Sequence, residues 1–197
     1  MLPAPLHRPL HIIGADCPAT SAVTTALALR ILATNPDIIL DMVDLSSSLH
    51  TLSISLAHRN GTTTTSPDHI SSYLETTSSA AELALLDGAH PHAVPTTSRL
   101  ILLNHFPYGY DERHLPHIRF ITEHGPALGI STIVVTDDPA SLGAIDHDPP
   151  GGSYTVPAFD NEDWHDPWTS NTWTFTPDRT PTDARQLETV LGRIVNQ

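Results

Sequence analysis

The chain has 197 residues, of which 39% are hydrophobic and 16% charged, a composition typical of one globular domain with a sizeable core. Nine basic residues against 22 acidic ones give a formal net charge of −13, so direct nucleic-acid binding is not expected. No segment has the apolar length of a membrane span and no signal peptide is evident, so we expect a soluble, cytoplasmic protein.

Strands and helices are predicted to alternate along the first half of the chain. We expect residues 1–9 to form an extended leader and residues 10–197 to form a single degenerate P-loop-like domain. The predicted elements are a strand at Leu10–Ile13 that ends at Gly14, a helix from Thr20 to Asn35, a strand at Ile38–Val43, an edge strand at Leu49–Leu56, and a helix capped by Asp68 that extends to about Leu86.

The second half continues this alternation after a loop at residues 90–97. The predicted elements are a strand at Leu100–Leu103, a helix at His114–Gly125, a strand at Ile130–Val135, a last strand at Trp173–Phe175 and a closing helix at Pro181–Ile194. The strands are continuous apolar runs, which is typical of a parallel sheet covered on both faces. We therefore predict a three-layer α/β domain with a mostly parallel sheet of about five strands.

The junction between the first strand and the first helix has the spacing of a Walker A motif, G-x-x-x-x-G-K-[ST]. Gly14 begins the motif, Ala19 replaces the second glycine, Thr20 replaces the lysine, and Ser21 keeps the residue type of the magnesium ligand. All nine basic residues are arginines, so no lysine elsewhere in the chain can replace the missing one. We expect no bound cofactor, with weak nucleotide binding left open.

A second motif lacks its functional residues directly after the predicted strand Leu100–Leu103. A Walker B motif presents two acidic residues there, one for Mg²⁺ and one for the attacking water. This chain has Asn104 and His105 instead, and neither carries the required negative charge. The sequence predicts that no catalytic residue remains and that the protein is not an enzyme.

Several segments resemble the FtsK/SpoIIIE motor family of DNA translocases and type VII secretion ATPases. The most specific is Gly125–Ile130 (GPALGI), which is similar to the family's GRALGIH. The stretch from Arg99 to Glu112 is similar to its Walker B strand and the following DEFP, and Val43-Asp44 to the start of its DPK. Thr136 and Asp137 align with its sensor segment, TQRP, without the glutamine and arginine.

The resemblance implies a RecA-like P-loop fold and assembly into rings. We therefore predict a catalytically inactive pseudo-ATPase that serves as a protein-interaction or assembly module. Its partner is expected to be an active FtsK-type ATPase or a second copy of itself. The candidate interface residues are aromatic: Phe106, Tyr108, Tyr110, Trp164 and Trp168. Two alternatives stay open, a P-loop protein that senses nucleotide without hydrolysis, and an α/β enzyme that uses His105 as acid or base.

Histidines and acidic residues also cluster in places where a metal could bind. His114 and His117 are three residues apart on a predicted helix, His90 and His92 flank a proline, and Asp160–Asp166 is rich in acidic residues. None of these groups has a recognised metal spacing. We therefore predict no metal site.

Overall fold

The computed structural model describes residues 9–14, 18–35, 37–56, 63–87, 98–145, 154–157, 163–165, 172–174, 185–186 and 189. Residues 1–8 of the predicted leader, the loop at residues 90–97 and most of the predicted closing helix lie outside these ranges, so those predictions stay untested. Among the described residues, no helix combines the length and apolarity needed to cross a membrane.

Six parallel strands form the central sheet in the order β3-β2-β4-β5-β1-β6. Their bounds are β1 (Leu10–Ile13), β2 (Ile39–Asp44), β3 (Thr63–Thr64), β4 (Arg99–Phe106), β5 (Ile130–Thr136) and β6 (Tyr154–Pro157). The parallel sheet confirms the predicted fold class. The strand number differs from five because β3 and β6 are too short to give a clear apolar run.

Helices cover both faces of this sheet and complete the three layers. The helices are α1 (Pro18–Thr34), α2 (His50–Leu56), α3 (Pro67–Asp87) and α4 (His114–His124). On one face, Leu27 of α1 and Leu52 of α2 pack with Met42 and Leu102 of the sheet. On the other face, residues of α3 and α4 pack against the alternate residues of the same strands. Burial on both faces explains why the strands are continuously apolar.

The segment predicted as an edge strand at Leu49–Leu56 is wrong, because the structure forms helix α2 there. Leu49, Leu52 and Leu56 are all buried, and their spacing of three and four residues places them on one side of a helix. The strand at the edge of the sheet next to β2 is β3, which pairs with Met42 and Val43 of β2. Over so short a segment, alternation and helical spacing are hard to distinguish.

Two smaller elements also differ from prediction. Helix α3 begins with Pro67, and its cap is Ser66 rather than Asp68, because Ser66 Oγ accepts a hydrogen bond from the backbone N–H of His69 at 3.4 Å. The predicted last strand is present as β8 (Thr172–Thr174). It pairs with β7 (Asp163–His165) in a separate antiparallel hairpin and is not part of the main sheet.

A half-buried ion pair and a tyrosine hydrogen bond connect β2 to β4 and to α3 near the amino end of the sheet. Asp41 of β2 is 1% exposed, and its Oδ2 accepts hydrogen bonds from the Arg99 guanidinium and from Tyr73 Oη, the latter at 2.7 Å. Burial lowers the pKa of Arg99 and raises that of Tyr73. This cluster lies toward the end of the sheet opposite the degenerate motifs, and the hydrogen bond from Tyr73 holds α3 against β2 there.

Candidate functional site

The degenerate motifs meet in one pocket at the carboxyl ends of the strands. Ligands bind at this edge of open α/β sheets. The pocket has about 10 Å³ of space open to the centre of a water molecule, which is room for about one water. Its lining residues are Gly14, Thr20, Ser21, Ser48, Asn104, His105, Val135, Thr136 and Asp137. The structure thus brings together the described parts of the Walker A, Walker B and sensor-like segments.

The Walker A remnant is held by backbone bonds within the protein. The Gly14 N–H donates to the Thr136 carbonyl at 2.9 Å, which continues the pairing of β1 with β5. Helix α1 begins at Pro18, a favourable first residue because proline lacks an N–H. Ala19 lies in its first turn. Thr20 is buried, and its short side chain stands where a lysine would reach the phosphates.

Asn104, at the Walker B position, is part of a buried polar network. Its Nδ2 donates hydrogen bonds to Asp44 Oδ1 at 2.8 Å, to Ser48 Oγ at 2.9 Å and to Ser46 Oγ at 3.2 Å. The other carboxylate oxygen of Asp44 accepts from the Leu49 N–H at 2.8 Å. The Asn104 side chain therefore directs its N–H groups at the Asp44 carboxylate. An aspartate at this position would instead offer oxygen atoms that can bind a metal.

His105 occupies a left-handed backbone conformation at a β-bulge. Its φ is +61°, a region in which histidine is one of the tolerated residues, and the register of β4 with β5 shifts between Leu103 and Phe106. Its ring meets Tyr108 edge-on with centroids 4.6 Å apart, and its carbonyl accepts from the Tyr108 N–H at 2.9 Å. The bulge thus directs His105 toward the pocket and Tyr108 outward.

Of the three candidate interface residues that follow β4, Tyr108 is the one with an exposed side chain. Phe106 is fully buried, and Tyr110 packs against it with ring centroids 5.3 Å apart. Burial and the nearby charge of Asp44 raise the pKa of the Tyr110 hydroxyl. Tyr108, in contrast, is 56% exposed.

The other two predicted interface residues lie toward the carboxyl end of the chain. Trp164 lies in β7, opposite Trp173 of β8. Trp168 lies outside the described residues, so nothing in the structure tests it.

The sensor-like segment forms a tight turn at the edge of the pocket. Thr136 is buried, and its Oγ1 accepts from the Asp138 N–H at 2.9 Å. Asp138 caps the following 3₁₀ turn (Pro139–Ala144) by accepting from the Ala140 N–H. Asp137 is exposed at the pocket rim, where its carboxylate adds negative charge.

Sequence reasoning missed the residues that hold Asn104. Asp44 enters the prediction only as the residue that follows the second strand, and Ser46 and Ser48 are not part of the predicted site. A signal was present, because an acidic residue followed by three serines at a strand end is typical of a polar network or turn. The sequence could not show that these side chains would meet Asn104, since β2 and β4 are distant in the chain.

The histidine pair on α4 makes structural contacts. His114 Nε2 and Ser71 Oγ of α3 are 2.7 Å apart, and His117 Nδ1 and Ser78 Oγ are also 2.7 Å apart. Each histidine thus pairs with a different serine. In the part of the chain that the structure describes, no three histidine, cysteine or acidic residues are grouped as a metal site would require.

Comparison with known proteins gives matches in structure. The sequence matches no protein-family model and no curated protein. The fold superposes on the cytoplasmic domain of EssC with a TM-score of 0.65 and 14% identity, over 96% of this chain and 44% of that one. It superposes on the pCW3 conjugation coupling protein TcpA, in monomer form with ATPγS, with a TM-score of 0.61 and 13% identity, over 77% and 49% of the two chains.

A third solved structure has a similar fold. The cytoplasmic domain of the type VII secretion ATPase EccC from Thermomonospora curvata superposes with a TM-score of 0.58 and 14% identity, over 85% of this chain and 23% of that one. The chain thus spans less than half the length of each of these structures. The fold is that of FtsK/SpoIIIE-type P-loop ATPase domains, as the resemblance of Gly125–Ile130 and the neighbouring segments implied.

Proposed function

We propose that this chain is a non-hydrolysing P-loop module that acts through protein contacts, in assembly or docking with an active FtsK-type motor or with itself. The observation that carries the proposal is the bonding of Asn104. Its amide donates to Asp44 and to two serines, so the position at which a Walker B strand would hold Mg²⁺ is occupied by a donor.

The character of the pocket supports the same proposal. A nucleotide carries several negative charges, and P-loop proteins meet them with a lysine and Mg²⁺. Here the described lining contains no lysine or arginine, and Asp137 adds a negative charge at the rim. The absence of positive charge among the described lining residues disfavours a nucleoside triphosphate.

The proposed protein contacts rest on the proteins that share the fold. One is a conjugation coupling protein. Another, the EccC ATPase pair from Thermomonospora curvata, has been solved in complex with a signal sequence peptide, with a TM-score of 0.51 and 16% identity to this chain. A module that cannot hydrolyse nucleotide can still keep the surfaces used in such complexes. Exposed Tyr108 is the contact that we assign first, because exposed aromatics anchor interfaces.

The first test measures nucleotide turnover and binding. We expect no ATP or GTP hydrolysis above background with Mg²⁺, and no heat of ATPγS binding by calorimetry. Turnover that disappears in Ser21→Ala would contradict the proposal. Stoichiometric ATPγS binding without turnover would support the nucleotide sensor instead, and hydrolysis lost only in His105→Ala would support the enzyme alternative.

The second test measures assembly. Light scattering and pull-down from the native host should detect self-association or a protein partner for the wild type. Tyr108→Ala should weaken that association, while Tyr108→Phe, which keeps the ring, should preserve it. A wild type that is monomeric and recovers no partner would overturn the proposal.

A further inference from the structure

The last turns of α3 expose leucine side chains. Leu83 is 62% exposed, Leu86 is 71% exposed and Leu85 is 40% exposed. These are three of the five large hydrophobic side chains that are exposed in the described part of the chain. One exposed leucine is ordinary, but adjacent ones are typical of a surface that another molecule covers.

Two of these leucines lie on the side of α3 that faces away from the sheet. Ile70, Leu74 and Ala81 are buried, so the side that bears them packs against the core. Leu83 and Leu86 are three residues apart and lie on the opposite, outward side. We call these two residues the leucine patch.

Acidic residues border the leucine patch along the same outward side. Asp68, Glu75 and Glu82 are exposed and follow one another at seven-residue spacing, which keeps them almost in line on a helix. Asp68 is close enough to Arg113 to interact with its charge. In the described residues, neither Glu75 nor Glu82 makes an ion pair. The two glutamates nearest the leucines can therefore meet the charges of a partner.

The helix supplies no positive charge of its own at this end. It contains no lysine or arginine, and no basic residue lies in its last turn. The unpaired carbonyl groups at the carboxyl end of a helix are equivalent to about half a negative charge. The complementary surface is therefore apolar with positive charges beside it.

Neither a second copy of the chain nor a lipid surface matches this charge. Two α3 helices would bring the same glutamates together. No two of the nine arginines are three, four or seven residues apart, so no helix of the chain carries a stripe of arginines. Glu75 and Glu82 would repel an anionic membrane. The charges favour a basic segment of a different protein.

The form of this segment follows from what α3 offers. The side of a helix presents side chains only, because its backbone groups are bonded within the helix, so an extended peptide cannot add to it as a strand. Ser79 is exposed between Glu75 and Leu83, and its small side chain lets a second helix approach closely. A partner helix can repeat its charges at the same seven-residue spacing.

We propose that the outward side of α3, from Glu75 to Leu86, binds a helix of a protein partner that carries arginines or lysines at seven-residue spacing beside apolar side chains. This inference rests on the proposed function as a protein-interaction module and adds a second surface to it. The leucine patch lies toward the amino end of the sheet, because α3 leads into β4 there, whereas Tyr108 follows the carboxyl end of β4.

The test titrates the whole chain with synthetic amphipathic helices of about 20 residues. The probe carries arginines at seven-residue spacing with leucines beside them. One control has the same residues in an order that removes the stripe, and a second has glutamates in place of the arginines. Binding is followed by NMR amide shifts at about 0.15 M salt, where long-range attraction is screened. We expect saturable shifts at Ser79, Glu82 and Leu83 with the probe only.

Variants of the leucine patch test the apolar contact. Leu83→Ser and Leu86→Ser should each weaken binding by about three- to tenfold, because each removes apolar area that the partner would bury. Ile54→Ser should leave the affinity unchanged, since Ile54 is 47% exposed on α2, which covers the other face of the sheet. Wild-type affinity in both patch variants would overturn the inference.

Charge reversal separates the site from the general acidity of the chain. The double variant Glu75→Arg, Glu82→Arg should lose the arginine probe and bind the glutamate peptide instead. The chain as a whole stays acidic in this variant, so general attraction would still favour the arginine probe. A preserved preference for arginine would therefore count against the proposed surface.

Other occupants of the leucine patch would give different results, each of which overturns the inference. Self-association that Leu86→Ser abolishes would assign the patch to a second copy. Binding to phosphatidylcholine–phosphatidylglycerol vesicles that Leu86→Ser abolishes would assign it to lipid. No saturable binding of the probe would exclude the partner helix, and a loss of stability in Leu86→Ser would then show that the chain itself covers the patch.

Failure of this surface is distinguishable from failure of the proposed function. If the probe does not bind but Tyr108→Ala still weakens the association of the wild type, the interaction module stands without the α3 surface. If the probe binds as expected but ATP hydrolysis that depends on Ser21 is found, the α3 surface stands and the module is not inactive.

Discussion

Replacing Asn104 with the acidic residue of a Walker B motif is expected to destabilise the fold. In Asn104→Asp, a second carboxylate would face Asp44, and the donors now 2.8–3.2 Å from three oxygens would be lost. We expect the free energy of unfolding to fall by about 2–4 kcal/mol in urea denaturation. Millimolar Mg²⁺ should recover part of the loss in this variant only. If Asn104→Asp were as stable as the wild type in the absence of Mg²⁺, the role assigned to the Asn104 amide would be contradicted.

The turn after β4 depends on a glycine. Gly109 has a φ of +76°, and an added Cβ would collide with the Leu45 side chain. Gly109→Ala should therefore lower the free energy of unfolding by about 1–3 kcal/mol, measured by thermal or urea unfolding. Gly143→Ala is the matched control, because an added Cβ there meets no atom within 4 Å. Equal effects of the two substitutions would refute this argument.

At the scale of elements, α3 and α4 are joined by two histidine–serine pairs. His114 is 2% exposed, so Ser71→Ala would leave its buried Nε2 without the partner now at 2.7 Å. We expect a loss of about 1–3 kcal/mol in stability. Ser72→Ala, at the neighbouring exposed position, should change stability by less than about 0.5 kcal/mol. Hydrogen exchange should show faster opening of both helices in Ser71→Ala but not in Ser72→Ala.

The elements also show how far the sequence predicts this fold. The strands around Leu100 and Ile133 are mostly apolar runs, so their type and the parallel character of the sheet could be predicted, but not the order of the strands. Helix α2 could not, because seven residues show alternation and helical spacing almost equally, and packing under β2 decides between them.

The sequence predicts where the candidate site lies but not which hydrogen bonds its residues make. The strand–helix spacing located Gly14 and Asn104, which do line one pocket. The partner of Asn104 comes from another strand, and the bulge at His105 depends on pairing with β5. Such contacts join residues that are distant in the chain, and local patterns do not encode them.

At the scale of the whole molecule, the negative net charge predicts that the chain does not bind nucleic acids. At −13 the chain has few basic groups with which to release the counterions of DNA. We expect no shift of duplex DNA at physiological salt, even though the fold is shared with a conjugation coupling protein. Sub-micromolar binding that weakens steeply with added salt would contradict this and would point to a surface lined by arginine.

The position of β1 in the sheet has a consequence for synthesis of the chain. Leu10 pairs with Ile133 on one side and with Tyr154 on the other, so both edges of this apolar strand stay open until most of the chain has left the ribosome. Unpaired apolar edges are aggregation-prone. A nascent chain arrested after residue 129 should therefore remain protease-sensitive and bind chaperones, whereas one extended by β5 and β6 should become resistant in a single step.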